Sequence, residues 1–290
     1  MLLGASAAIT TVGCGASVKT VTSTVTVTTG GSKTGLTSGL SGGHHVLKGL
    51  VLTETVGGGY VPQEAAFLQE LSQVAVYADG RIYSVQASPD NASVVPVMIS
   101  LVERDVPVST VNRIVNEAQA AGVTNHPPNL GQPGITDQDT TTVTVTSDGH
   151  TWTQSAYALG YSQGLTSDQV AARRRLDKFS TQLTRLGTNL GPGSAVHAYT
   201  PTSLSVLAEP ANGGTPARTI VAPLPLDTLS QSGCVGVVGR RSVARVIALA
   251  ARATPETVWA SAGRRWRLVI RPDLPGEKPC RHASDTGTIN

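Results

Sequence analysis

Short runs in which apolar and polar residues alternate, each closed by Gly, Pro or an Asp-Gly pair, fill most of the chain beyond residue 46. Among them stand stretches whose apolar residues recur at helical spacing. HVLKGLVLTETVGGG predicts a strand, and SQVAVYADGRIYSVQ predicts two strands around the tight turn that Asp79-Gly80 favours. VPQEAAFLQEL, between them, is ambiguous. The apolar run VVPVMISLVER leads into a predicted helix from Ser109 to Ala121, with Ser109 or Thr110 as N-cap and Gly122 as its end. Val111, Ile114, Val115 and Ala118 share one face of it. After a Pro- and Gly-rich loop comes TTTVTVTSDGHTWTQSAYALG, a second hairpin turning at Asp148-Gly149.

This order returns. CVGVVG precedes a helix with apolar face Val243, Val246, Ile247 and Ala250, the first helix's spacing displaced by 132 residues. The hairpin TVWASAGRRWRLVI, turning at Ala262-Gly263, follows it, and a displacement of 114 carries Gly149 onto Gly263 and Trp152 onto Trp266. Two-residue turns would set Val145 across from Trp152 and Trp259 across from Trp266. Between the copies, LTSDQVAARRRLDKFSTQLTRLG predicts a helix with a Thr166/Gln169 capping box and a buried face of Leu176, Phe179, Leu183 and Leu186. AYTPTSLSVLAEP supplies a further strand. The expected fold is α+β: two related β-rich units (strand, helix, β-hairpin), mostly antiparallel, joined by the amphipathic helix. The units are expected at 47–162 and 195–281, with the connecting helix at 163–190.

The ends of the chain read differently. Residues 1–13 form an apolar run ending in Val12-Gly13 before Cys14, long enough for a secretory signal and too short to cross a bilayer, which takes about 20 residues. The run matches the end of a bacterial lipoprotein signal, whose cysteine takes a diacylglycerol, although Thr11 replaces the usual aliphatic residue. No Lys or Arg precedes the run, and the missing basic region points to a start codon placed too far downstream. Residues 14–46, almost all Gly, Ser, Thr and Val, bury too little apolar surface to fold and read as a flexible tether. Residues 282–290 read as a tail.

Composition narrows the partners. A net charge of +3 does not demand a polyanion, and nucleic acid is not expected, although residues 231–290 hold ten basic against four acidic residues. With Cys14 lipidated, Cys234 and Cys280 remain as an even pair for a disulfide in an oxidising compartment.

No HExxH, GxxxxGK[ST] or CxxC motif occurs, and the G-x-S-x-G match at Gly39–Gly43 falls in the Gly/Ser-rich tether rather than on a strand-to-helix turn, so no catalytic residue, cofactor or metal set is assigned. His44-His45 in the tether reads as solvated, and His126, His150, His197 and His282 stand singly. Asp137 and Asp139 lack the Gly and distal Glu of a calcium loop and read as residues that bind backbone where the loop enters a strand. Arg173-Arg174-Arg175 reads as a solvated run on the outer face of its helix. Arg265 and Arg267 should alternate away from Trp266, onto an exposed face able to meet an anionic envelope polymer.

The segments GGYVPQEAAF, VYADGRIY, TDQDTTTVTV, YALG, YTPTSLSVLAEP and RPDLPGEKPC, spread over about residues 50–280, together resemble a set of actinobacterial secreted proteins and lipoproteins of unknown function. The resemblance implies an envelope location and carries no catalytic residue. The expectation is therefore a lipid-anchored protein on the outer face of the cell membrane, working as a non-enzymatic binding or structural module on an envelope polymer or a protein partner. An envelope hydrolase or transferase with an unfamiliar site, and an accessory subunit of a transport or secretion complex, are the alternatives.

Overall fold

The computed structural model describes residues 45–86, 95–188, 196–211, 218–222, 232–261 and 263–280. The expected signal, nearly all of the tether, Cys14, His44, His282 and the tail lie outside them. In chain order the first part comprises β1 (Leu50–Gly58), α1 (Gln63–Gln69), β2 (Val74–Tyr77), β3 (Arg81–Val85), β4 (Leu101–Asp105), α2 (Val108–Ala120), β5 (Asp139–Ser147), β6 (His150–Tyr157), α3 (Ser167–Thr188) and β7 (Val196–Ala198). Its seven strands form one antiparallel sheet in the order β6-β5-β1-β2-β3-β4-β7. The second part comprises β8 (Ser203–Pro210), β9 (Arg218–Val221), β10 (Gly233–Val238), α4 (Arg240–Ala250), β11 (Thr257–Ser261) and β12 (Arg264–Pro272), its strands ordered β10-β8-β12-β11-β9 with β9 parallel to β11. The fold class is the expected one, α+β with two mostly antiparallel sheets, but β7 follows α3 and still belongs to the first sheet.

Local chemistry sets the registers. Asp148 and Gly149 both take positive φ (53° and 76°), the backbone of a two-residue turn whose twist matches its flanking strands, and this pairs Val145 with Trp152. The last hairpin pairs Trp259 with Trp266, and Gly263 in its turn also takes positive φ (76°). The first hairpin departs from expectation, because three residues rather than two separate Tyr77 from Arg81 and only Gly80 of the Asp79-Gly80 pair has positive φ (98°). A Cβ on Gly80 would stand 2.1 Å from the carbonyl oxygen of Val106, so only glycine fits. Helix α2 also starts earlier than its sequence indicates. Pro107 (φ −58°, ψ 145°) sets the entry, and its carbonyl receives the amide of Thr110 at 2.8 Å, so neither Ser109 nor Thr110 caps by its side chain.

One face of the seven-stranded sheet carries α2 and α3. Val111, Ile114, Val115 and Ala118 of α2 and Leu176, Phe179 and Leu183 of α3 pack there against Leu52, Val74, Val76, Val143 and Val145. The second sheet packs α4 on one face, over Trp259 and Trp266, and α1 on the other through Phe67 and Leu68 against Leu207 and Val269. Cys234 and Cys280 form a disulfide with Cα atoms 5.9 Å apart.

The two strand–helix–hairpin units differ in wiring. Three strands, β1 to β3, separate β4 from the first hairpin, whereas β8 alone separates β10 from the second. Counting the antiparallel steps, α2 joins strands that run parallel and α4 joins strands that run antiparallel. The sheets also exchange segments. β7, expected at the start of the second unit, pairs with β4, while Met98 bridges Ile270 and Val97 lies in the core of the second sheet. The described residues accordingly cluster as one compact unit.

Candidate functional site

The face of the seven-stranded sheet opposite α2 and α3 is paved with hydroxyls near its β6 edge. Alternation sends Val143 and Val145 of β5 inward and Thr142, Thr144 and Thr146 outward, and the register aligns them with neighbours of the same kind. Three ranks result: Thr55–Thr142–Ser155, Thr53–Thr144–Thr153 and Thr146–Thr151. Within them Thr142–Ser155, Thr144–Thr153 and Thr146–Thr151 are hydrogen-bonded at 2.9, 3.0 and 2.9 Å. Strand geometry spaces the backbone positions that carry them at about 4.8 Å across the sheet and about 6.8 Å along it.

Two depressions adjoin this field along β1. One, of about 460 Å³, lies over Thr53 and Tyr77 beneath Leu274, Pro275 and Glu277. The other, of about 400 Å³, lies over Thr55, Gly57 and Thr142 beside Ala66 and Gln69 of α1. Glu70 borders both, which makes them two parts of one groove. Tyr60, between two residues of the rim, is 95% exposed. The wall formed by the C-terminal segment is firmly held. Tyr77 Oη donates to the carbonyl of Pro275 at 2.8 Å, Arg271 bonds Glu277 at 2.9 Å over the Phe67 ring, and Leu274 packs among Tyr77, Tyr83 and Tyr199. Burial pushes the Tyr77 and Tyr199 phenols up to about 12, so both stay neutral donors at physiological pH.

A third cavity, of about 390 Å³, opens on the helix-covered side of β1, lined by Glu54, Val56, Gln73, Asp139, Ser180 and Thr184 among others. Glu54 is 1% exposed and accepts a hydrogen bond from Ser180 Oγ, while its Oε2 has no hydrogen-bond partner among the described residues. Burial raises its carboxyl above the usual range, against the smaller opposing effect of the Ser180 hydroxyl.

On the second sheet, Arg265 and Arg267 are exposed and Trp266 is 1% exposed on the opposite face, as alternation requires. Arg267 stands across from Glu209, which hydrogen-bonds Glu64 of α1. Burial first, then that bond and the Glu64 charge, push the Glu209 carboxyl up to about 7, with Arg267 opposing. A carboxyl raised by folding contributes stability in full below its ordinary value of 4.5 and loses it as pH rises through about 7. Thermal melts from pH 4 to 8 are therefore expected to show the parent chain losing ground to Glu209→Gln across that window, and parallel profiles would refute the shared proton.

The remaining sequence candidates divide. Asp139 opens β5 and lines the Glu54 cavity, whereas Asp137 takes a left-handed turn (φ 57°) in the preceding loop. His45 is held rather than solvated: its ring lies 2.7 Å from Asp148 and 3.0 Å from Asn116. Burial by itself lowers its pKa, but the bonds to Asp148 and Asn116 and the Asp148 charge outweigh this and raise it. His150 stacks on Trp152, and His197 lies 3.7 Å from Glu103. None of the described histidines lines the three cavities detailed above. Arg173 is not on an outer face. Three residues before Leu176, it falls on the buried side of α3, is 2% exposed, and donates to the carbonyls of Leu130, Tyr157 and Ala158.

Sequence reasoning missed Glu54, whose place in LVLTETVGG follows the inward alternation set by Leu52, and it read the threonines only as strand formers. Fold and site together define an α+β protein with a hydroxyl-lined open face and a buried carboxyl behind it. No family model, no curated protein and no solved structure matches the chain. No helix among the described residues is long and apolar enough to cross a membrane.

Proposed function

We propose that the chain is an extracytoplasmic protein, held at the outer face of the cell membrane by lipid on Cys14, and that it binds a neutral, hydroxyl-rich polymer of the envelope across the open face of its larger sheet. The observation that carries this reading is the ranked field of Thr and Ser hydroxyls beside a two-part groove. Hydroxyls both donate and accept, so they match a polyol without the desolvation cost of fixed charges. Exposed Tyr60 adds a ring face at the groove's rim. The Val12-Gly13-Cys14 ending and the Cys234–Cys280 disulfide support the location, because disulfides persist in oxidising compartments. Arg267 stands beside Glu209, and this mixed charge favours a neutral polymer over an anionic one.

The test is retention of the full-length chain on neutral envelope polysaccharide, with a polyanionic wall polymer as comparison. Substituting Thr142, Thr144 and Thr153 together by Val keeps the strand-forming β-branch and removes the hydroxyls. Affinity for the neutral polymer is expected to fall by about tenfold or more, from the loss of several hydrogen bonds, at an almost unchanged melting temperature. Equal retention of the triple variant, or retention only by the polyanion, overturns the ligand reading. Mass spectrometry of the native protein tests the location: diacylglycerol on Cys14 supports it, and a cytosolic species with an intact N-terminus and free thiols refutes it.

A further inference from the structure

The cavity behind β1 meets the open-face groove at Gln69 but is lined by the inward-facing residues of β1, and it points to different chemistry. A buried carboxyl oxygen without a partner is costly and rare. Glu54 presents one at the inner end of a polar cavity, while its other oxygen is fixed by Ser180. The terminal torsion of a glutamate is broad, so this oxygen can turn toward an entering donor. The cavity is lined further by Ser180 and Thr184, one helical turn apart on α3, and by Gln73. Val56 lines the stretch between Glu54 and the outer end of β1, where Gly58 pairs with Asp139.

The spacing of the two carboxyl groups decides what fits. Four residues along β1 separate Glu54 from the Gly58–Asp139 pair, a backbone spacing of about 13 Å at about 3.4 Å per residue, and the Asp139 carboxyl lies at the outer end, with Oδ1 3.8 Å from where a Cβ on Gly59 would stand. A single metal ion, with ligand oxygens at about 2.3–2.6 Å, fits this spacing poorly, and no group of three or more His, Cys, Asp or Glu among the described residues could hold one. A linear molecule with a cationic group at each end can span both carboxyl groups. An ammonium group offers three N–H donors, which match the Glu54 carboxylate with hydroxyl or amide oxygens beside it. An alkyl stem would lie along Val56.

We propose that this cavity binds a linear alkyl diammonium ligand, one ammonium on Glu54 and Ser180 and the other at Asp139. Binding involves no covalent change: the ammonium pairs with the Glu54 carboxylate, and any proton that the carboxyl holds leaves to solvent as the ammonium enters. The raised carboxyl pKa of Glu54 supports this exchange. The neighbouring titratable group on the cavity wall is Asp139, and Ser180, Thr184, Gln69 and Gln73 face it uncharged.

Isothermal titration of the full-length chain with 1,5-diaminopentane tests the proposal, using butylamine and calcium chloride as comparison ligands and two buffers of different protonation enthalpy. The expected result is one diamine per chain, affinity that rises with pH as the carboxyl ionises, and proton release into the buffer that shrinks over the same rise. Glu54→Gln mimics the protonated acid, so it should keep the melting temperature and weaken diamine binding by about tenfold or more. Asp139→Asn should weaken the diamine several-fold and leave butylamine unchanged. Absence of diamine binding at neutral pH, equal binding by Glu54→Gln, or displacement of the diamine by calcium would each overturn the proposal. These outcomes do not depend on the polysaccharide assay, which reads the opposite face of the sheet.

Discussion

The Cys234→Ser/Cys280→Ser variant is expected to unfold about 4 kcal/mol more easily than the parent, because the bridge closes a loop across a sequence separation of 46 residues and restricts the unfolded chain accordingly. For a domain of this size that corresponds to a fall of about 10 °C in melting temperature. The folded state feels the change locally as well. Cys280 sits over β10, where a Cβ on Gly236 would meet its carbonyl oxygen at 2.7 Å. Its amide bonds Ser205 Oγ at 3.0 Å, and that hydroxyl bonds Asp273 at 2.6 Å. The same segment carries Leu274 into the tyrosine cluster and forms one wall of the open-face groove. Chemical denaturation of parent and variant, with thiol titration to establish the oxidation state, measures the effect. Equal midpoints would mean that the bridge adds nothing to the noncovalent anchoring of this segment.

The second large effect is expected at Arg173. Its guanidinium donates to Leu130, Tyr157 and Ala158, tying the Pro-rich loop and the end of β6 to α3. Arg173→Met has similar reach and no donors, so it leaves these carbonyl groups without their charged partner at a cost of about 4 kcal/mol, taking about 1.5–3 kcal/mol for each hydrogen bond to a charged group and allowing for the apolar surface gained. A lysine offers a compact ammonium in place of a fork, so Arg173→Lys should recover only part of the loss. The neighbouring Arg174 and Arg175 are exposed, and their Met variants should stay within about 0.5 kcal/mol of the parent. If urea unfolding places Arg173→Met beside Arg174→Met, the clamp is not structural.

Arg173 also marks where the sequence could and could not be read. The apolar faces of α2, α3 and α4 and the hairpin partners Val145–Trp152 and Trp259–Trp266 are legible because they depend on short-range periodicity and turn chemistry. The triple arginine looks solvated for the same reason, since charge dominates the reading of the run; only the helical phase set by Leu176 places Arg173 inside. Wiring was out of reach. The matching of Gly149 with Gly263 and Trp152 with Trp266 records equal hairpins, while their neighbours are chosen by pairings across long stretches of chain, β5 with β1 and β12 with β8. The site suffered from the same limit. Thr53, Thr144 and Thr153 become one rank only after three strands are aligned, and Glu54 becomes conspicuous only once α3 covers it.

The exchange of segments between the sheets bears on how the protein is made. The larger sheet cannot gain its last edge strand until the chain has emerged past Ala198, and the smaller sheet needs Val97 and Met98 from far upstream. Neither half can mature while the other is still being synthesised, so assembly waits for an almost complete polypeptide and then proceeds through distant encounters, which are slow to form. During that interval the threonine-rich hairpin is an unshielded ribbon, and a chaperone or a low chain concentration becomes a condition of yield.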